Sequence, residues 1–264
     1  SENDVLFQLN GVYSFFPTFG SFKSNLPYQI IDGGDDIAVS NATKRLFNER
    51  TISSSNVYFT SAWSGFFNTI NNANALMGTL DKISPGIVSD SYKDRIMGEL
   101  YFMRGLSYFY LVRLYGGVPL HTEAVQGNSD FYPARNSVEE VYSLIFDDLE
   151  KAAEKCIPYS QQPAKEFGHA TKGAAQAMLS LAYLTYANTL DLKGDGGSQN
   201  YYQLAENYAD SVILSQQYSL ISNYADLWNV DMEKASYKEV IFAIQFTRDA
   251  TAASASSRGS ELAY

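Results

Sequence analysis

Cysteine, histidine and positive charge are all scarce in these 264 residues, and each shortage closes a class of function. The single cysteine, Cys156, permits no internal disulfide, and its place in an amphipathic pattern marks it as a small buried hydrophobe. The only histidines, His121 and His169, stand in no H-E-x-x-H arrangement, and no cysteine pair offers ligand spacing, so no zinc site is expected. Against 29 Asp and Glu there are 19 Lys and Arg, a formal net charge of -10. That balance repels nucleic-acid phosphates and anionic lipid surfaces, and no basic patch overrides it. No apolar run approaches the roughly 20 residues that span a bilayer. The opening SENDVLFQLNGVYSFF also lacks a basic segment followed by an uninterrupted apolar one. The chain therefore reads as soluble, with any export signal already removed, and as using no cofactor or metal.

Aromatic residues are plentiful: 20 Tyr and 16 Phe accompany 2 Trp, in a chain rich in Asn and Ser as well. Such surfaces suit neutral polar ligands, because an aromatic face stacks on the C–H face of a sugar while amides satisfy its hydroxyls. Tyrosines also serve as half-buried packing with a wet hydroxyl, which is the commoner use of any one of them.

The middle of the chain is a succession of amphipathic helices. In NVYFTSAWSGFFNTINNANALMGTL, Ala62, Phe66, Ile70, Ala73, Met77 and Leu80 recur every three or four residues, giving a helix over 57–80 that ends at the Ser84-Pro85-Gly86 break. A second helix spans 91–115 through Ile96, Leu100, Met103, Ser107, Leu111 and Leu114; Gly116 and Gly117 supply a left-handed end and Pro119 prevents resumption. Ser137 and Glu140 form a capping box for a helix over 137–156, striped by Val138, Val141, Ile145, Leu149, Ala152 and Cys156. A fourth, over 170–188, carries Ala174, Met178, Leu181 and Thr185 on one side and Ala175, Leu179, Ala182 and Tyr186 beside them. DLKGDGGSQN is then a loop, and Tyr201, Ala205, Tyr208 and Val212 stripe a fifth helix over 201–217. Antiparallel pairs of this kind look like tetratricopeptide hairpins, yet the starts near 57, 137 and 201 keep no constant period, so the expected fold is mainly α with irregular hairpins and long loops. A minor β element is expected at YKEVIFAIQF, whose residues 240–246 alternate, and 247–264 reads as a mobile tail.

Catalytic signatures are missing. IDGGDD carries Asp35 and Asp36 after two glycines but not the order of a phosphate-binding loop. Adjacent carboxylates there could hold calcium or a sugar hydroxyl, or could simply be a solvated turn. Trp63 lies one residue off the apolar set that begins at Ala62, so it flanks the core and either packs or presents its indole at the rim.

The stretch YFMRGLSYFYLVRLYGGVPL closely resembles the helix and exit turn of the SusD/RagB family of nutrient-capturing outer-membrane lipoproteins, through Arg104, Tyr108, Phe109, Leu111, Arg113, Tyr115, Gly116, Gly117, Val118 and Pro119. LNGVYS, AWSGFFNTINNANAL, RNSVEEVYSLIFDDLEKA, ATKGAAQAMLSLAYLTYAN, YYQLAENYADSVI and EVIFAIQF continue the resemblance in family order. Tyr101 stands where the family often has Arg. Gly105 stands where Ala is usual, a change costing about 1 kcal/mol of helix propensity unless close packing demands it.

The resemblance implies a single SusD-like domain over 1–264 that corresponds to the N-terminal part of longer proteins, and a structural role for the signature helix. It implies non-catalytic binding of oligosaccharide or polysaccharide at the cell surface, delivery to a SusC-type TonB-dependent transporter, and a lipid anchor at the outer membrane. Asp35, Asp36 and Trp63 are the candidate ligand contacts. Peptide capture of the RagB type, a glycoside hydrolase on a helical scaffold and a plain helical scaffold for protein partners are the alternatives.

Overall fold

The computed structural model describes residues 1–16, 55–127, 132–229 and 238–244, with Ser53 and Met232. Among them are six α-helices: α1 (Glu2–Ser14), α2 (Val57–Asp81), α3 (Asp90–Tyr115), α4 (Val138–Lys155), α5 (Lys172–Lys193) and α6 (Ser198–Leu214). The chain divides into two compact units, one of residues 1–78, 121–131 and 244–264, the other of 79–120 and 132–243.

In the first unit, α1 buries Val5, Leu9 and Val12, and Phe16 just beyond it meets Phe66 of α2 edge-on with ring centres 6.1 Å apart. The stripe expected on α2 is the one that is buried: Ala62, Phe66, Ile70 and Ala73 are each fully enclosed.

The second unit is a row of antiparallel helices, a direction fixed by the partners each pair shares. Arg104 meets Asp148 while Gly98 meets Cys156; Glu150 meets Tyr183 while Glu139 meets Lys193; Tyr183 meets Tyr208 while Asp191 meets Tyr202. The signature helix α3 is buried on nearly every side of its C-terminal two-thirds rather than along one stripe. Its glycines let α4 approach: a Cβ on Gly98 would lie 2.8 Å from the Cys156 nitrogen, and one on Gly105 3.1 Å from Leu149 Cγ. Close packing is thus what offsets the lost helix propensity at Gly105. Between them Arg104 donates from Nε and Nη2 to both oxygens of Asp148, at 2.8 and 2.7 Å, and both side chains are enclosed. Burial pushes the Asp148 carboxyl up, against the pull of the Arg104 guanidinium.

A second buried cluster fastens the α4–α5 connection. Arg95 bonds Glu99 and Glu166, and the other oxygen of Glu99 lies 2.8 Å from His169 Nδ1. Aromatic rings then tie α4, α5 and α6 together: Phe146 stacks on Tyr183 at 4.1 Å, and Tyr183 on Tyr208 at 5.8 Å. Burial, joined by the bond from its hydroxyl to Glu150, pushes the Tyr183 phenol up; burial also pushes Tyr142 up to about 12.

Several sequence expectations are corrected here. The capping box holds, with Ser137 N donating to Glu140 Oε2 at 2.7 Å and Glu140 N to Ser137 Oγ at 3.1 Å. On α5, however, only the Ala175, Leu179, Ala182 and Tyr186 row is fully buried; Leu181, from the other row, is exposed. That helix also runs through Asp191-Leu192-Lys193 to Gly194, whose φ of 72° makes it the left-handed terminator, and α6 starts at Ser198. The minor β element is absent among the described residues: 240–244 are irregular, and Phe242 packs edge-on against Phe102 at 4.9 Å. The left-handed residue at the end of α3 is Gly116 (φ 70°), not Gly117. Gly117 is needed for proximity, since a Cβ there would lie 2.1 Å from the Asn136 carbonyl oxygen.

Candidate functional site

From Val57 to Gly78, α2 contains no charged residue; its polar positions are Ser, Thr, Tyr and Asn. Next to its buried stripe runs a second one, Trp63, Phe67, Asn71 and Asn74, at helical spacing. Trp63 and Phe67, one turn apart, have ring centres 4.8 Å apart at 45°, and His121 meets Phe67 edge-on at 5.8 Å. All three rings are partly exposed.

The asparagines hold a chain segment alongside these rings. Asn74, almost wholly buried, donates from Nδ2 to the carbonyls of His121, at 2.9 Å, and Glu123, at 3.1 Å. Asn71 Oδ1 accepts from the Val125 backbone N–H at 2.8 Å. Three backbone groups of 121–125 are thereby satisfied by side chains of one helix, so an irregular segment is carried on a rigid support. What results is a row of three rings bordered by the Asn71 and Asn74 amides and the 121–125 segment. That chemistry matches the alternating C–H faces and hydroxyls of a neutral sugar chain.

Of the residues expected to bind ligand, Trp63 lies in this row, at the rim rather than in the core. Asp35 and Asp36 lie outside the described residues. Phe67, His121, Asn71 and Asn74 escaped the sequence reading. The available signals were the four-residue step from Trp63 to Phe67 and the lack of charge over 57–78; the approach of 121–125 had none. Among the described residues no cluster of three His, Cys, Asp or Glu could hold a metal ion, and no helix is long and apolar enough to cross a membrane.

Residues 24–184 match the SusD-like family model described as "Starch-binding associating with outer membrane". The chain belongs to the SusD-like family. Among its relatives, a SusD-like protein of Bacteroides ovatus is 30% identical over 191 residues, 70% of this chain and 32% of that protein. The starch-binding protein SusD of Bacteroides thetaiotaomicron is 28% identical over 160 residues, 60% of this chain and 26% of that one. A solved laminarin-binding SusD-like protein superposes with a TM-score of 0.72 at 24% identity, over 86% of this chain and 48% of its own. The SusD-like chain therefore spans less than half the length of each of these relatives.

Proposed function

We infer that this SusD-like chain contributes to a non-catalytic glycan-binding protein, which holds a neutral oligosaccharide at the outer membrane and passes it to a SusC-type TonB-dependent transporter. The observation that carries the reading is the partly exposed Trp63–Phe67–His121 row along the uncharged 57–78 stretch of α2. A sugar ring laid on Trp63 buries apolar C–H surface, while the Asn-rich flank of α2 offers partners to its hydroxyls. Asp35 and Asp36 are proposed as further hydroxyl acceptors, and a lipid anchor as the link to the membrane.

A screen of the chain against immobilised starch, laminarin and xyloglucan, with analysis of the recovered glycan, tests this. Retention of a neutral glucan at unchanged chain length is expected. Shortened products would make the protein a hydrolase, and failure to retain any of the three would refute neutral-glucan capture by this part of the molecule.

A further inference from the structure

We propose that a cleft in the second unit, remote in sequence from the aromatic row, binds one acidic sugar residue, a uronate, through Lys172. The cleft encloses about 270 Å³ and lies where the α4–α5 connection meets the first turns of α5 and the end of α6. Small-molecule sites occupy roughly 300–1,000 Å³, so this one suits a single ring or the end of a chain. Tyr159, Lys172, Gln176, Ser211, Ser215 and Gln217 contribute to its lining, and no carboxylate among the described residues does.

The polar groups divide unevenly into donors and acceptors. Gln217 Oε1 accepts from the Ser160 backbone N–H at 2.8 Å, which leaves its amide nitrogen as a donor. Lys172, like Lys82 and Lys238, makes no ion pair among the described residues, whereas Lys93, Lys151, Lys155 and Lys193 each meet a carboxylate; of the three, Lys172 is the one that lines the cleft. Ser211 Oγ donates to the Asn207 carbonyl at 2.8 Å and keeps its lone pairs for a ligand hydroxyl. Ser215 is already committed in both directions, to the Val212 carbonyl and the Gln217 N–H. In a chain of net charge -10, a cleft whose described lining has an unpaired ammonium, amide donors and no carboxylate calls for an anionic ligand.

The ring beside these groups calls for a sugar rather than a bare anion. Tyr159 packs at 5.4 Å on Tyr218, whose hydroxyl lies 2.9 Å from Thr171 Oγ1. Gly173 makes this closeness possible, since a Cβ there would fall 2.4 Å from the Tyr218 oxygen. Tyr159 is thus braced as an aromatic wall. A uronate places a carboxylate, hydroxyls and an apolar C–H face on one ring, and each has a counterpart here. The choice of a sugar rests on the glycan-binding reading; the position and the charge preference do not.

Calorimetric titration of the whole chain at low ionic strength with trigalacturonate and with its fully methyl-esterified form tests the proposal, the two probes differing only in charge. The acid is expected to bind about tenfold tighter than the ester, the worth of a charge-assisted hydrogen bond. Lys172→Gln should abolish that preference without moving the melting temperature, and Trp63→Ala should leave it intact. Equal binding of acid and ester, a preference that survives Lys172→Gln, or full displacement of the acid by equimolar inorganic phosphate would each overturn the proposal. Neutral-glucan binding lost in Trp63→Ala alongside equal acid and ester binding would overturn the cleft and spare the aromatic row; the opposite pattern would overturn the row and spare the cleft.

Discussion

Replacing Gly117 by Ala places a methyl carbon 2.1 Å from the Asn136 carbonyl oxygen, where ordinary contact begins at 3.4 Å. The obstacle is backbone, so no side-chain rotation relieves it, and the exit turn must move away from residues 135–137. Three further contacts hold it there: Asn136 N donates to the Val118 carbonyl at 3.1 Å, Leu120 N to Asn136 Oδ1 at 3.1 Å, and Arg135 Nε to the Gly117 carbonyl at 2.6 Å. Losing one or two of these at about 1 kcal/mol each, with an overpacking cost of about 1–3 kcal/mol, gives about 2–5 kcal/mol. Gly116→Ala meets nothing within 4 Å and suffers only from its backbone, φ 70° with ψ -140°, about 1–3 kcal/mol. Gly11→Ala, in open space on the exposed side of α1, should gain about 0.5–1 kcal/mol. Urea melts of the three variants should therefore rank Gly117→Ala least stable, then Gly116→Ala, with Gly11→Ala at or above the parent. If Gly117→Ala melts with the parent, or above Gly116→Ala, the close-approach argument is wrong.

Arg104→Leu should cost about 3–5 kcal/mol in the same assay, because it leaves the enclosed Asp148 carboxyl without its partner; a loss below 1 kcal/mol would show that the pair is dispensable. Glu140 is held below its ordinary value of 4.5, chiefly by the Ser137 backbone N–H. Its contribution is therefore present above that value and lost as the pH falls through its lowered folded value. The melting temperature of the parent should exceed that of Glu140→Gln at pH 7, and the gap should close in acid; a gap independent of pH would refute the capping role. Cys156 is buried and uncharged, its thiol pushed well up by enclosure, so labelling by a thiol reagent should be slow in the native protein and fast in urea.

Helices were legible wherever an apolar stripe and a terminator coincided. The buried stripe from Ala62 to Leu80, the Ser137 capping box and the glycine end of α3 all followed from spacing alone. α1 was missed because three buried residues, Val5, Leu9 and Val12, interrupted by Asn10 and Gly11, make a weak stripe. On α5 two apolar rows lay side by side, and periodicity could not say which would face α4 and α6. The alternation in 240–244 had the period of a strand, yet these residues are irregular and Phe242 is taken up by packing on Phe102. The single-residue offset of Trp63 marked it as flanking the core but left packing and rim exposure both open; the structure leaves it partly exposed. Its neighbours Asn71, Asn74 and His121 were not legible, because their meeting depends on residues 47 to 54 positions apart.

Calorimetric titration of a neutral glucan such as maltoheptaose into the parent chain and into Trp63→Ala tests the central claim most directly. Trp63 is partly exposed and lies beside the buried stripe, so its loss should hardly move the melting temperature. The parent should bind the glucan without shortening it, and Trp63→Ala should bind about tenfold more weakly, equivalent to ~1.4 kcal/mol. Equal affinity for the two proteins, or cleavage of the glucan by the parent, would contradict the account.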